Sequence, residues 1–178
     1  IFTSDGFAPY IFKDDISCLS NIIVIHNKLN PFFNLVSRPQ FSNFSLECIK
    51  FGFVGLIRYP QTILRFAKVI GEYFPKHEFH FYGDSEINSN EFYDLFKFKN
   101  IFFHGKFRNP DDLSKIYLNI DISIACYDPN SENVKIAEPN KLYESIFFIK
   151  PIVVSESTFL CQKVSSLGVG YCINSLEN

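Results

Sequence analysis

The sequence predicts an α/β fold built on a doubly wound parallel sheet, and two observations support this class. Seven short apolar runs, most of them without a polar face, indicate strands that are covered on both sides. Stretches with helical spacing or helix start signals lie between most of these runs. Strands that alternate with helices along the chain are typical of βαβ units, in which the strands run parallel.

The predicted elements follow one another at short intervals. The strands are predicted at residues 22–26, 49–54, 78–82, 100–104, 121–125, 151–154 and 170–173. The helices are predicted at residues 60–73, 89–97, 110–118, 139–148 and 156–166. We expect Pro60, Pro110 and Pro139 each at a first helical position, where the N–H that proline lacks would have no helical partner in any case.

A stretch without either periodicity divides the chain. The segment 27–45 contains two prolines and four asparagines and is interpreted as a linker. We therefore expect residues 1–45 to be the tail of a preceding domain with its linker, and residues 46–178 to form one globular domain. Because the chain begins without a methionine and stops soon after a predicted strand, we expect a fragment that is cut at both ends.

Composition and charge argue against several classes of protein. With 178 residues, of which 47 % are apolar and 20 % charged, the chain can bury a full core. A net charge of −2 provides no cationic field for nucleic acid. The five cysteines are odd in number and form no CxxC pair, so we expect reduced thiols in a cytosolic protein, without a zinc site or a disulfide framework. No apolar run reaches the roughly 18 residues of a membrane span.

The loops after the predicted strands are the places to look for a ligand site, because ligands of open α/β sheets bind beyond the carboxyl ends of the strands. After the strand at 49–54 comes "GLIRYPQT", in which Gly55 permits a tight turn and Arg58 offers a bidentate cation. This loop suits diphosphate binding, although an ordinary turn with a solvated arginine has the same pattern. Neither GxGxxG nor GxxxxGK[ST] occurs, so no dinucleotide or P-loop motif is indicated.

Two further strands end in glycine loops. Gly83 and Gly105 are compatible with close approach of a ligand, and plain turn glycines explain them equally well. Phe107 suits a place beside a nucleobase or in the core. His104, at the end of the strand at 100–104, is interpreted as a core or loop histidine.

The segment "EPNKLYES", residues 138–145, carries the most specific pattern. If Pro139 begins a helix, the N–H groups of Asn140, Lys141 and Leu142 are free and carry the positive end of the helix dipole. On a helical wheel, one side gathers Leu142, Tyr143, Ile146, Phe147 and Ile149, and the other gathers Asn140, Lys141 and Glu144.

This spacing suits a nucleoside diphosphate. Its phosphates would lie at the helix tip near Lys141, and its ribose hydroxyls would donate to the Glu144 carboxylate one turn further along. The alternative is a solvated surface helix on which Lys141 and Glu144 form an i,i+3 pair worth a few tenths of a kcal/mol.

Six segments together resemble a known family. They are "FGFVGLIRY", "FHFYGD", "NIFFHGKF", "LSKIYLNIDISIACY", "EPNKLYESIFFIKPIVVS" and "SLGVGY". Over about residues 48–173 they are similar to the carboxyl-terminal, donor-binding domain of GT-B glycosyltransferases, in particular the glycosyltransferase family 4 type of bacterial polysaccharide assembly. The most specific part is "PNKLYES" with "KPIVVS".

The resemblance implies a Rossmann-like domain that holds a nucleotide-diphosphate sugar as substrate, without a metal or cofactor. It further implies retaining transfer of a hexosyl group to a saccharide or lipid-linked acceptor, which an amino-terminal domain absent from this chain would hold. Such a protein is cytoplasmic, with peripheral contact at the inner face of the membrane where the acceptor is lipid-linked. The fragment alone is expected to be inactive.

Roles transfer residue by residue. Glu144 matches the acid that holds the ribose, Asn140 and Lys141 match the phosphate-facing helix start, and Gly55 with Arg58 matches the first diphosphate loop. Two positions depart from the family pattern. Leu56 stands directly after the loop glycine where many members have an arginine, and the acid that usually stands eight positions before the ribose acid would fall at Ile136.

Glu138, two residues later, and Phe107 are candidates for contact with the sugar or the base. No residue is assigned as a catalytic acid, base or nucleophile. Two other functions remain open at this point. One is a GT-B-like sugar-nucleotide epimerase, which would bind the same donor without an acceptor. The other is a non-catalytic α/β binding module that has kept the fold and lost the ligand.

Overall fold

A computed structural model describes residues 2–3, 6–7, 23–40, 45–57, 60–84 and 90–176 of the chain. In these residues a six-stranded, all-parallel sheet carries helices on its faces, which confirms the predicted doubly wound α/β class. The sheet consists of β3 (Lys50–Val54), β4 (Glu78–Tyr82), β5 (Ile101–Phe103), β6 (Ile122–Ala125), β7 (Ile152–Ser155) and β8 (Gly170–Ile173). A separate parallel pair is formed by β1 (Phe2–Thr3) and β2 (Ile23–Val24).

The described helices connect these strands. They are α1 (Pro60–Tyr73), α2 (Asn90–Asp94), α3 (Leu113–Leu118), α4 (Glu132–Ile136), α5 (Asn140–Phe147) and α6 (Phe159–Leu167). Short 3₁₀ turns lie at Pro31–Leu35 and Leu95–Lys97. β2 pairs with β1 and not with the six-stranded sheet, so the described residues contain two separate sheets. The domain boundary at residue 45 stays a prediction.

The strand order is β5-β4-β3-β6-β7-β8. The connections from β3 lead outward to the β5 edge, and those from β6 lead outward to the β8 edge. The two central strands are neighbours, with Phe51 of β3 in register with Ile122 of β6. Since the chain leaves these strands in opposite directions, a crevice opens beyond their carboxyl ends at this switch point.

Alternate residues of each strand serve two different hydrophobic layers, as strand geometry requires. On one face, Phe53, Phe81 and Ile124 pack against α1 through Ile63, Leu64 and Ala67. The other face carries two clusters. One contains Val54, Tyr82, Tyr117, Ile120 and Phe148. In the other, Leu160 and Val164 of α6 pack with Ala125, Ile152 and Val154 of the sheet. Burial on both faces explains why the strands are apolar runs without alternation.

Three helix starts and two short elements differ from the sequence-based expectation, and one of these starts is that of α5, which begins at Asn140 and not at Pro139. The helix predicted from Pro110 begins at Leu113, because the Asp112 side chain binds the backbone N–H of Arg108 and closes a turn ahead of it. The helix predicted from residue 156 begins at Phe159, after Thr158 caps the N–H of Cys161. The short helix α4 and the 3₁₀ turn at Pro31–Leu35 were not predicted.

The expectation that the cysteines are unpaired is wrong for Cys161 and Cys172, which form a disulfide with their Cα atoms 5.6 Å apart. The pair lies 11 residues apart in sequence, on α6 and the following strand β8. A helix that folds back on the next strand brings such positions together, and sequence spacing without the fold gives no sign of this. Among the described residues, Cys48 and Cys126 are free thiols.

Two glycine loops pack against each other at the carboxyl edge of the sheet. Gly55 and Gly83 have φ angles of 129° and 138°, which side-chain-bearing residues rarely adopt. The Gly55 N–H donates to the carbonyl of Tyr82 at 2.7 Å. A β-carbon at Gly83 would lie 2.2 Å from the carbonyl oxygen of Gly55. The close packing of these two loops therefore requires glycine at position 83.

This packing predicts a large difference between two glycine substitutions. Gly83→Ala combines a disfavoured φ with a backbone clash and should lower the free energy of unfolding by about 3 kcal/mol or more. Gly105→Ala is the control, because Gly105 has φ of 72° but a β-carbon added there would meet no atom within 4 Å. It should cost about 1 kcal/mol. Urea denaturation measures both, and equal costs would contradict the proposed close approach.

Candidate functional site

A cavity of about 400 Å³ lies at the switch point, beyond the carboxyl ends of β3 and β6. Its lining comes from β3, β6 and β7 with the loops that follow them, from the loop after β5, from α4, and from the starts of α5 and α6. The lining residues are Val54, Gly55, Leu56, Phe107, Asn109, Ala125, Tyr127, Asn133, Val134, Ala137, Pro139, Asn140, Lys141, Glu144, Ser155, Thr158 and Leu160. Four loops and two helix starts therefore converge on one space, whose volume suits a small organic ligand.

The amino terminus of α5 points its backbone into this cavity. Pro139 is the residue before the helix, with extended backbone at φ −75° and ψ 150°, and not the first helical residue as predicted. Leu142 N–H donates to the Pro139 carbonyl at 3.1 Å, so it is not one of the free groups. Within the described part of the chain, the N–H groups of Asn140 and Lys141 have no acceptor. Two free N–H groups at a positive helix end can bind an anion.

Lys141 is buried and held in one position. Its Nζ donates to the hydroxyl of Tyr127 at 2.7 Å and lies 3.3 Å from the centre of the Phe53 ring. Only 8 % of the residue is exposed, and this burial lowers the pKa of the Lys141 ammonium to about 7. An aromatic ring and a hydroxyl compensate a buried cation only in part, so an anion bound beside Lys141 would stabilise its charged form.

Tyr127 is itself fixed by a two-way contact between neighbouring strand ends. Its backbone N–H donates to Ser155 Oγ at 2.9 Å, and the Ser155 hydroxyl donates to the Tyr127 carbonyl at 2.6 Å. Beside it, burial raises the pKa of the Cys126 thiol to about 12. Cys126 is therefore a neutral thiol at physiological pH, and Lys141 is the ionisable group at this position that can meet a phosphate.

Glu144 is also buried, with 7 % of the residue exposed, and lines the cavity one turn beyond Lys141. Its Oε2 accepts a hydrogen bond from the hydroxyl of Tyr117 at 2.9 Å. Burial raises the pKa of the Glu144 carboxyl, while the Tyr117 hydrogen bond and the charge of Lys141 lower it. The carboxylate therefore has free hydrogen-bond acceptor sites on the side of the cavity, where they are shielded from bulk water.

The structure distinguishes between the two interpretations of the polar side of α5. The apolar side of the wheel includes Ile146 and Ile149, which are 41 % and 43 % exposed. The side predicted to be polar carries Lys141 and Glu144, which are buried. A wheel assigns polar residues to solvent, whereas this helix starts at the sheet edge and directs them into the crevice. A solvated Lys141–Glu144 pair on an exposed surface is thereby excluded.

Most of the predicted site residues meet at this cavity. Gly55, Phe107, Asn140, Lys141 and Glu144 all line it, and a β-carbon added at Gly55 would lie 3.4 Å from Lys141 Cε. Arg58 lies outside the described residues. Gly83 and Gly105 shape the sheet edge but do not line the cavity. The contacts of these residues with a ligand stay predictions.

Glu138 lies next to the site and has other partners. Its carboxylate is fully buried and accepts hydrogen bonds from the Tyr143 hydroxyl at 2.6 Å and from His26 at 3.1 Å. Lys163 Nζ lies 3.6 Å from the same carboxylate, and the Glu138 carbonyl accepts from the Asn27 side chain. Glu138 therefore fastens the segment after β2 to the start of α5. Its predicted contact with a sugar stays a prediction.

His104 is exposed and does not line the cavity. Its Nε2 lies 2.9 Å from His80 Nδ1, and its ring stacks on Tyr82 with centroids 4.1 Å apart. Partial desolvation of its ring against these neighbours and the charge of His80 lower the pKa of His104. These contacts agree with the interpretation of His104 as a structural histidine.

Sequence reasoning did not single out Tyr117, Tyr127, Asn133, Ser155 or Thr158, all of which line the cavity or hold its charged groups. For two of them the sequence signal is position, since Ser155 ends β7 and Tyr127 lies two residues after β6. Within the described ranges, no group of three His, Cys, Asp or Glu side chains could hold a metal ion. The described helices are all too short or too polar to cross a membrane.

Comparison with solved structures identifies the fold. HepE of Anabaena, solved with UDP-glucose, superposes with a TM-score of 0.66 at 13 % identity over 97 % of this chain and 49 % of its own. AviGT4, a glycosyltransferase of avilamycin A biosynthesis, superposes with a TM-score of 0.62 at 13 % identity, over 98 % of this chain and 50 % of its own. WaaG, a glycosyltransferase of lipopolysaccharide biosynthesis, superposes with a TM-score of 0.61 at 12 % identity, over 86 % of this chain and 43 % of its own.

These structures are glycosyltransferases of the GT-B fold, and the likeness shows that this chain shares that fold. The chain spans about half the length of the structures it matches. No protein-family model matches the sequence, and no curated protein sequence does so.

The network around Glu138 predicts a stability difference between two acidic residues. Glu138→Ala removes a buried acceptor shared by Tyr143, His26 and Lys163, and it should lower the free energy of unfolding by about 2 to 3 kcal/mol. Glu132→Ala is the matched control, because Glu132 forms an exposed i,i+3 pair with Lys135. It should change stability by less than about 0.5 kcal/mol. Urea unfolding that gives equal values would refute the anchoring role.

The burial of Lys141 predicts a pH dependence of stability. The unfolded chain holds this proton up to a pKa near 10.5, whereas the folded chain releases it near 7. The unfolded state therefore binds more protons between these values, and the free energy of unfolding should rise with pH through this group. From about pH 7 to 8.5, Lys141→Met should lower the slope of the free energy of unfolding against pH by up to about 1.4 kcal/mol per pH unit.

Chemical denaturation at several pH values measures this slope. Lys135→Met is the control, because Lys135 is an exposed lysine paired on α4 and its loss should leave the slope unchanged. Identical slopes for the wild-type protein and Lys141→Met would show that Lys141 is not a strongly desolvated cation.

Proposed function

We propose that this chain is the donor-binding, carboxyl-terminal half of a glycosyltransferase of the family 4 type. It binds a nucleotide-diphosphate sugar and transfers the hexosyl group, with retention of the anomeric configuration, to a saccharide or lipid-linked acceptor of polysaccharide biosynthesis. An amino-terminal domain supplies the acceptor site. The whole protein acts in the cytoplasm, with contact to the inner face of the membrane where the acceptor is lipid-linked.

One observation carries the proposal. Lys141 and Glu144 are buried one helical turn apart, and both face a single cavity at the switch point of the sheet. Burying two ionisable groups costs free energy that a hydrophobic pair would not, so a ligand that pairs with both explains their presence. A nucleoside diphosphate has an anion and a pair of hydroxyls at the matching separation.

The residues divide the donor between them. The free N–H groups of Asn140 and Lys141, with the Lys141 ammonium, receive the diphosphate, and the glycine at position 55 leaves room for it beside Lys141. The Glu144 carboxylate accepts hydrogen bonds from the ribose hydroxyls. Phe107 and Asn109, on the loop after β5, line the same cavity, and in this proposal they contact the base or the sugar.

Catalysis in this proposal is electrostatic. Negative charge develops on the departing diphosphate in the transition state, and fixed cations and helix N–H groups stabilise it without reorganisation. The α5 terminus and Lys141 are the groups of this kind in the described residues. The solved structure of HepE with UDP-glucose is consistent with a donor of this class and suggests UDP as the first nucleotide to test.

Calorimetric titration with UDP and GDP tests the proposal. We expect one nucleotide to bind and Glu144→Ala to weaken it about tenfold or more, which corresponds to about 1.4 kcal/mol. Glu156→Ala is the control, since Glu156 is an exposed acid at the end of β7 that does not line the cavity. It should leave affinity within about twofold.

Two results would count against the proposal. Absence of nucleotide binding to the full-length folded protein at millimolar concentration would favour a non-catalytic module. Conversion of the donor to an epimeric nucleotide sugar without added acceptor, and without net release of free nucleotide, would favour the sugar-nucleotide epimerase. Transfer predicts release that depends on the acceptor.

A further inference from the structure

A buried tyrosine lies behind the acidic end of the proposed donor site. Tyr117, on α3, has no exposed surface, and its ring stacks on Phe148 with centroids 4.7 Å apart and planes 7° apart. It does not line the cavity. Its hydroxyl nevertheless reaches the site, because it donates to Glu144 Oε2 at 2.9 Å.

Packing alone does not explain a hydroxyl at this position. A phenylalanine would fill the same space against Phe148, and a buried hydroxyl costs free energy unless it has a partner. Its hydrogen-bond partner is Glu144, which is the carboxylate among the described residues that lines the cavity, and the hydroxyls of Ser123 and Ser145 lie close to it. Burial and the neighbouring carboxylate keep the pKa of Tyr117 well above its ordinary value, so Tyr117 remains a donor at every physiological pH.

We propose that Tyr117 is the positioning residue for Glu144: its hydroxyl fixes the carboxylate in the ionised form and orientation that accept both ribose hydroxyls of a nucleotide. This inference rests on the proposed function. With Oε2 accepting one bond from Tyr117, Oε1 and the second lone pair of Oε2 remain for the ligand. Tyr117 does not touch the nucleotide and acts only through Glu144.

The titratable groups that face Glu144 are few in the described part of the chain. Tyr117 approaches from α3, and Lys141 lies on the same helix. Behind Lys141 lie Tyr127 and Cys126, at the end of β6. Because burial opposes ionisation of Glu144, loss of the Tyr117 hydrogen bond raises the pH at which Glu144 takes up a proton. A protonated Glu144 offers the ribose a poorer acceptor.

Calorimetry of the full-length protein with UDP, at about pH 6 and about pH 8.5, tests this inference. Tyr117→Phe should raise Kd about tenfold over the wild-type value at the lower pH and threefold or less at the higher pH. Lys141 titrates in both proteins and is coupled to Glu144, so the ratio of the two Kd values at each pH, and not the pH profile of either protein alone, reports the effect of the Tyr117 hydroxyl. For 2′,3′-dideoxy-UDP, which lacks both hydroxyls, the ratio should stay near one at both pH values.

Two variants control for general effects of the substitution. Tyr82→Phe removes another buried hydroxyl, whose partner is Asn119 at 2.6 Å, and should leave UDP affinity within about twofold. In a Glu144→Gln background, Tyr117→Phe should have no further effect, because residues that act through one another are not additive.

Each outcome decides the inference. A Tyr117→Phe protein that matches Tyr82→Phe at both pH values overturns it and leaves the donor site intact. Absence of UDP and GDP binding to the wild-type protein defeats the proposed function and this inference together. If Tyr117→Phe does not fold, site-specific 3-fluorotyrosine keeps the ring packing and strengthens the donor. It should then move the loss of UDP affinity to lower pH, and an unchanged profile overturns the inference.

Discussion

The burial of two ionisable side chains on one short helix is the constraint on which the rest of this structure depends. Lys141 and Glu144 lie in a sheet-edge crevice and are nearly inaccessible to solvent. Each is held by a tyrosine hydroxyl from another element, Tyr127 for the lysine and Tyr117 for the acid. Such groups cost stability unless they are paired, so the fold retains them at an energetic expense that a bound ligand would offset.

The sheet topology determines where these groups meet. Parallel strands send all their following loops to one edge, and the reversal between β3 and β6 opens that edge at its centre. Gly55 and Gly83 let the loops on one side pack closely, while Ser155 joins the ends of β6 and β7 on the other. Glu138 ties the segment around His26 to the start of α5, so the beginning of the helix that carries the charged pair is fixed.

Sequence patterns predicted the class of fold because both faces of the sheet are buried, which makes each strand a recognisable apolar run. They also predicted that Asn140, Lys141 and Glu144 share one helix face. The wheel alone could not decide whether that face points into a ligand crevice or into solvent, because both arrangements have the same sequence pattern. Tyr117 is 27 residues from Glu144, and the Cys161–Cys172 pair depends on how α6 folds onto β8. Contacts of this kind exist only once the fold is known.

A crystal structure of the full-length protein with bound UDP tests the central claim most directly. The account predicts phosphate oxygens within about 3 Å of the Asn140 and Lys141 N–H groups, and ribose hydroxyls at a similar distance from the Glu144 carboxylate. Tyr117 should keep its hydrogen bond to Glu144. A nucleotide bound elsewhere on the protein, with Lys141 still seated on Phe53 and Glu144 without a ligand, would contradict it.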